Sequence, residues 1–349
     1  MKPAPLRLEP VFSPRLWGSR SLAPLFPQKS NLNDPLGEAW LTAVDCLCAS
    51  APFQGKTLGE AWKQMPAEWR GTRLASRDDF PILVKFIFPK DKLSIQVHPD
   101  DAYAAAHEQA AGGRGKTEMW HVVSAEPGAR LLAGLKPGVT KEKFRAALLN
   151  HTLEDLFQSH DVRAGDTFFI PAGLPHTIGP GMIICEVQEY SDLTYRVYDY
   201  GRVDKNGKPR ELHIDKALAV MNFAAMRGGK IPSVAIPAER NRKALLAVCP
   251  YFTTERWELK TSEPVDLVPD RFELLVVLGG TGYLHGGGTP LAYQPGQCWF
   301  LPASLEKISV EPEQSTTLVR TYVPDLVNLC AQLRQSGIPE AQLAQVVFA

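Results

Sequence analysis

Gly165-Asp166-Thr167-Phe168-Phe169-Ile170-Pro171-Ala172 returns in the second half of the chain as Gly296-Gln297-Cys298-Trp299-Phe300-Leu301-Pro302-Ala303. The two stretches share a glycine, apolar or aromatic positions and a Pro-Ala turn. Each follows a similar apolar run, Glu118-Met119-Trp120-His121-Val122-Val123 before the first and Glu273-Leu274-Leu275-Val276-Val277-Leu278-Gly279-Gly280 before the second. Short β-branched and aromatic runs bounded by glycine and proline read as strands. Their recurrence predicts two copies of one β unit, and a double-layered jelly roll is the architecture that buries strands of this kind. The region Pro237 to Asn241 reads as the junction, dividing the chain into residues 1–236 and 237–349.

Working outward, 29 prolines and 27 glycines punctuate further apolar runs along the 349 residues, so the fold is expected to be mainly β. Strands are predicted at Ile82 to Pro89, Ser94 to His98, Glu118 to Ser124, Ala129 to Leu135, Thr167 to Pro171, Met182 to Glu189, Arg271 to Leu278 and Cys298 to Pro302. Helix is predicted at Asp101 to Ala111, at Lys141 to Leu149 running on toward Leu153 to Gln158, and at Asp325 to Gln335. The first two make a small helical insertion near 100–158.

Composition narrows the function classes. The 38 basic and 38 acidic side chains cancel, leaving no global field to draw nucleic acid or an anionic membrane, so neither is expected as a partner. Any anion must be held locally. Six cysteines stand without C-x-x-C pairs, which argues against a thiolate zinc ribbon and fits a reducing, cytoplasmic setting. The N-terminus has no signal-like apolar core, and a monomer or weak dimer is expected.

The chemistry concentrates in Leu93-Ser94-Ile95-Gln96-Val97-His98-Pro99-Asp100. Side chains alternate along a strand, so Ser94, Gln96 and His98 project together, opposite Leu93, Ile95 and Val97. Glu118 at the start of a later strand and His176 after a proline turn complete a set of two imidazoles, a carboxylate and an amide oxygen. That set suits zinc, and also iron or manganese. His121 faces the other side of its strand from Glu118, His107 sits in a helix, and His151, His160, His213 and His285 lie in polar turns. The repeat supplies a control: the position aligned with His176 is Lys307, and the second copy has no counterpart of Gln96 and His98. The second unit is therefore expected to be degenerate and without metal ligands.

At this point Ser94-Ile95-Gln96-Val97-His98-Pro99-Asp100-Asp101, Gly115-Lys116-Thr117-Glu118-Met119-Trp120, Pro171-Ala172-Gly173-Leu174-Pro175-His176 and Tyr195-Arg196-Val197-Tyr198-Asp199-Tyr200-Gly201-Arg202 resemble type I mannose-6-phosphate isomerases in their shorter bacterial form. Gly37-Glu38-Ala39-Trp40 is similar to a Gly-Glu-Ser-Trp segment of that family, with one hydroxyl missing at Ala39. The resemblance implies two cupin-like jelly-roll domains, one zinc ion per chain held by Gln96, His98, Glu118 and His176, and a phosphosugar substrate. It implies interconversion of mannose 6-phosphate and fructose 6-phosphate through a cis-enediol, and it marks Arg196 as catalytic.

That reaction needs a base, a proton relay and positive charge on the developing enediolate. Arg196, permanently charged, suits the last role. Glu186 is the candidate base, since a carboxylate in an apolar-walled cavity has a raised pKa; its other reading is a partner that orients a zinc histidine. Lys116 and Arg202 are the candidate phosphate ligands, with Ser94 donating a hydroxyl to phosphate or sugar. Two rivals share the ligand set: an iron cupin dioxygenase, and a sugar-binding or regulatory protein without turnover.

Overall fold

In a computed structural model that describes residues 2–286 and 288–349, the chain forms two jelly rolls, each a seven-stranded sheet facing a smaller one. The large sheet of the first runs, in spatial order, Gly229–Ile231, Thr167–Ile170, Glu118–Ala125, Met182–Glu189, Ile82–Ile87, Leu36–Trp40, Val11–Ser19. That of the second runs Leu6–Leu8, Cys298–Leu301, Glu273–Gly279, Thr316–Tyr322, Thr253–Leu259, Arg242–Val248, Val234–Ile236. All pairings are antiparallel, and register matches as well as order: Glu118 lies opposite Ile170 in the first sheet and Glu273 opposite Leu301 in the second. The smaller sheets correspond too. Ile95–Val97, His176–Ile178, Arg130–Leu135 and Phe157–Asp161 match Glu263–Asp266, Lys307–Pro312, Gly282–His285 and Leu291–Tyr293. The first adds a fifth strand, Tyr195–Tyr198, at its edge.

Strand alternation builds the cores. Met119 and Cys185 turn to the back of the first large sheet, while Trp120, Val122 and Ile184 fill the barrel. In the second, Leu274 and Val276 turn back while Leu275 and Val277 turn inward. The two backs meet in one continuous core that joins Phe86 and Met119 to Phe272, Leu274 and Phe300. Burying each such side chain is worth about 1.5–3 kcal/mol, so the sheets are held as one body. The first and last strands of the first unit cross over to it: Leu6–Leu8 and Val234–Ile236 both belong to the second large sheet, so the expected junction after residue 236 falls in a loop within that sheet.

Several expectations change in detail. The helical insertion is not one segment: Asp101–His107 and Lys141–Leu149 are separated by two strands, and both they and Ile214–Val220 sit near the small sheet, where Phe144, Ala147 and Leu218 cluster with Ile95 and Val97. The second helix stops at Asn150 because His151 takes φ +57°, after which Leu153–Leu156 is a single 3-10 turn and Phe157–Asp161 is a strand. Leu93 precedes its strand and turns into the first barrel with Ser94 instead of opposing it. An unanticipated helix, Leu58–Gln64, opens on a capping box in which Thr57 and Glu60 satisfy each other's backbone N–H groups.

Candidate active site and metal centre

Cross-strand register assembles the site. Gln96 is paired with His176 on one side and Arg196 on the other, so three side chains from neighbouring strands of the small sheet share one face. Across the barrel, Glu186 is paired with both Lys85 and Trp120. His176 reaches its strand through a turn in which Gly173 adopts φ +84°, a conformation a side chain would oppose.

The two faces converge on a buried cluster. Ligand atoms of His98, Glu118 and His176 all lie within 4.8 Å of one another. His98 Nε2 stands 3.3 Å from Glu118 Oε1, and His176 Nε2 stands 3.9 Å from Glu118 Oε2. Each imidazole donates its Nδ1–H to a backbone carbonyl, Leu193 for His98 and Leu174 for His176, both at 2.9 Å. That bond fixes the tautomer and leaves Nε2 as a lone pair aimed inward. His98 Nε2 is buried with no hydrogen-bond partner, and among the described residues the only groups that approach Glu118 Oε1 are that imidazole and the Lys116 ammonium. An orphaned ring nitrogen facing a buried carboxylate is what a cation would satisfy. The Gln96 amide nitrogen is 3.3 Å from His176 Nε2 while its oxygen faces Ser94 Oγ at 3.4 Å, so Gln96 offers oxygen to the cluster only with the amide turned over.

Charge is concentrated beside the cluster. Lys116 Nζ is 2.7 Å from Glu118 Oε1. Burial alone would raise the Glu118 pKa, but Lys116 and His98 hold it well below the usual carboxylate range. Burial alone would lower Lys116, yet Glu118, Glu186 and Asp192 raise it above the ordinary lysine value. Burial, with a smaller push from His98, brings His176 down to about 3. Trp120 Nε1 donates to Glu186 Oε2 at 2.8 Å and to Glu118 Oε2 at 3.1 Å. Burial and the neighbouring Glu118 charge push Glu186 up to about 7.

A cavity of about 480 Å³ lies next to this cluster, lined by its neighbours Gln96, Lys116 and Glu186 and not by the three residues themselves. Ser94, Gln96, Lys116, Glu186 and Arg196 line it, as do Arg15, Glu38, Lys85, Asp192, Arg210 and His213, which the sequence reading left aside or placed elsewhere. Lys85 is 98% buried, 3.3 Å from Asp192 and 3.8 Å from Glu186. One lysine inside the apolar run Ile82–Phe88 was the signal for it. Arg196 makes no ion pair among the described residues: Nη1 donates to the Glu211 carbonyl at 2.9 Å and Nε is buried without a partner. Arg202 does not line the cavity. Asp199 at 2.6 Å, Asp91 and the Lys92 carbonyl draw it away, and Asp199 also holds Arg210, which does line it. His121, as expected, faces away from Glu118 and is buried behind the sheet.

The second barrel keeps the positions and changes the chemistry. By register Glu273 stands where Glu118 does, Arg320 where Glu186 does, Glu255 where Lys85 does, and Arg271 two residues before Glu273 as Lys116 precedes Glu118. Arg320 donates to both Glu273 oxygens at 2.5 and 2.6 Å. No imidazole enters, and Lys307, in the place of His176, is exposed.

Comparison with known proteins finds family models matching both halves of the chain. A model of the type I phosphomannose isomerase catalytic domain matches residues 6–121, and one of the mannose-6-phosphate isomerase cupin domain matches residues 241–323. A probable mannose-6-phosphate isomerase of Bacillus subtilis is 32% identical over 88% of this chain and 96% of its own length. The mannose-6-phosphate isomerase of Streptococcus mutans is 34% identical over 86% of this chain and 93% of its own. Among solved structures, the mannose 6-phosphate isomerase of Bacillus subtilis superposes with a TM-score of 0.82 at 29% identity, covering 91% of this chain and 99% of that one.

Proposed function

The chain belongs to the mannose-6-phosphate isomerase family, type I, and from that premise we propose that it interconverts mannose 6-phosphate and fructose 6-phosphate in the cavity of the first barrel. The observation that carries this reading is the buried His98, Glu118 and His176 cluster, with the inward His98 nitrogen left unpaired, next to a cavity lined by its neighbours Gln96 and Lys116 together with Glu186 and Arg196.

The donor set fits a single zinc ion, which His98, His176, Glu118 and a turned Gln96 would hold. Bound there, it supplies Lewis-acid polarisation of the sugar's carbonyl and hydroxyl oxygens. The protein's own groups do the rest. A base takes the proton from C2 of open-chain mannose 6-phosphate and returns it to C1, while a hydroxyl proton moves from O2 to O1. Glu186 suits the carbon step because a carboxyl near neutrality both accepts and releases a proton at working pH, and the Trp120 indole fixes the oxygen that faces it. Arg196 meets the negative charge of the enediolate, its guanidinium free of any carboxylate. Lys116 and Ser94 meet the phosphate and sugar oxygens. Arg202 serves at one remove, holding the Asp199 that aligns Arg210.

An iron dioxygenase or a binding protein without turnover would use the same ligands but has no need of Glu186 beside an unpaired arginine. The test is a coupled assay of fructose 6-phosphate formation on metal-analysed protein, before chelation, after it, and after zinc is returned. Turnover that is lost and restored with the metal is expected. Absence of turnover in protein that carries zinc would overturn the proposal.

A further inference from the structure

The segment that delivers Lys116 to the cavity is bonded at every residue, and the bonds lead to a second cluster of carboxyls outside the site. Ser191 Oγ donates to the Arg114 carbonyl at 3.2 Å, and Gly115 N to Asp101 Oδ1 at 2.8 Å. Lys116 N donates to the Pro99 carbonyl at 3.0 Å, and Thr117 N to Glu189 Oε1 at 2.8 Å. Glu189 N returns a bond to the Thr117 carbonyl at 3.1 Å. Gly115 runs so close to the backbone of Asp100 and Asp101 that a Cβ there would fall 2.6 Å from it. The other oxygen of Asp101 accepts from Tyr251 Oη at 3.0 Å, and Tyr251 belongs to the second barrel. Asp101 and Glu189 thus hold nearby amides of the same segment, Gly115 N and Thr117 N, and the Asp101 charge bears on Glu189.

We propose that Asp101 and Glu189, braced by Tyr251, form a clamp that positions Gly115 to Thr117 and so sets Lys116 for the phosphosugar. The inference rests on the isomerase reading for its substrate, and on the geometry alone for the clamp. It gives the second barrel a task at the active site: its tyrosine reaches across to the loop that carries a substrate ligand. All three are positioning residues, since none lines the cavity.

A buried carboxyl near a second negative charge ionises less readily. Burial, then the Asp101 charge, pushes Glu189 up to about 8. The other charged or titratable groups facing it are Arg77 and Asp79 from the preceding loop, Arg114 from the clamped segment, and Tyr251 and Cys249 from the second barrel. Arg114 is taken by Asp79 at 2.5 Å. Because the folded pKa lies above the ordinary carboxyl value, the clamp is intact below that range and weakens as pH rises through about 8.

The test has two arms on the metal-loaded, full-length protein. In the first, KM and kcat for mannose 6-phosphate are followed from pH 7.5 to 9.5 in wild type and in Glu189→Gln, whose amide keeps both bonds without a charge. Wild-type KM should climb about fivefold with kcat little changed, as expected when one charge is set against another, while the variant stays flat. In the second arm, hydrogen exchange is measured on the peptide spanning residues 112–118. Tyr251→Phe, which removes only the hydroxyl, should speed it about tenfold and leave the strand at residues 82–87 untouched. A Glu189→Gln variant that keeps the wild-type pH curve, or unchanged exchange in Tyr251→Phe, overturns the proposal. Failure of wild type to turn over mannose 6-phosphate would instead refute the functional reading, and the exchange arm would still decide the clamp.

Discussion

At the scale of single residues, His176 and Arg196 stand opposite the two sides of Gln96 yet are bound to do different work. His176 is fully buried with its tautomer fixed by the Leu174 carbonyl, so His176→Ala should lose metal together with activity, as read by metal analysis. The Arg196 guanidinium makes no hydrogen bond to a candidate ligand, so Arg196→Ala should retain metal while turnover falls about 10²–10³-fold, the usual cost of removing a donor to a developing oxyanion. An Arg196→Ala protein with near-normal turnover would refute its assigned role. The clustering of His98, Glu118 and His176 was legible because their side-chain types are rare together, and strand alternation puts Gln96 and His98 on one face. Lys85 and Asp192 were not, because each is defined by partners far away in sequence: Lys85 meets Asp192 only when two strands and a loop close the cavity. Arg202 was misplaced for a related reason. Spacing from Arg196 says nothing of Asp199, Asp91 and Lys92 waiting for it in the turn.

Elements show the same limit. Strands such as Met182–Glu189 and Cys298–Leu301 could be read from apolar runs between turn residues, and they fall within a residue or so of expectation. The helix Leu58–Gln64 was passed over although Thr57-Leu58-Gly59-Glu60 spells a capping box. Removing that cap with Thr57→Ala should cost about 1 kcal/mol in denaturant unfolding without changing turnover, because the helix lies on the far side of the back-to-back core from the cavity cluster. Helix 141–149 was carried too far because a left-handed histidine, not a glycine, ends it.

For the whole molecule, two sheets of identical strand order present two fates of one buried charge cluster. The first leaves the His98 ring nitrogen open beside Glu118; the second sets Arg320 between Glu273 and Glu255. Arg320→Met should therefore strand two buried carboxylates and destabilise the protein by roughly 3–5 kcal/mol in thermal or chemical unfolding, with metal content unchanged. The repeat was visible in sequence through its Pro-Ala turn, whereas the crossover of Leu6–Leu8 and Val234–Ile236 into the second sheet is a matter of pairing that no local pattern records. Five of the six cysteines are buried and only Cys330 is partly open, so a thiol reagent should react with at most one site until the protein is unfolded. No helix among the described residues is long and apolar enough to cross a membrane. The central claim, proton transfer in a single metal-dependent site, is met most directly by following mannose 6-phosphate by NMR in D₂O with metal-loaded protein. Fructose 6-phosphate formed by wild type, with deuterium at C1 only to the extent that the base exchanges its proton with solvent, and formed about 10²–10³-fold more slowly by Arg196→Ala, is the predicted result; no conversion by protein that holds its metal would contradict the account.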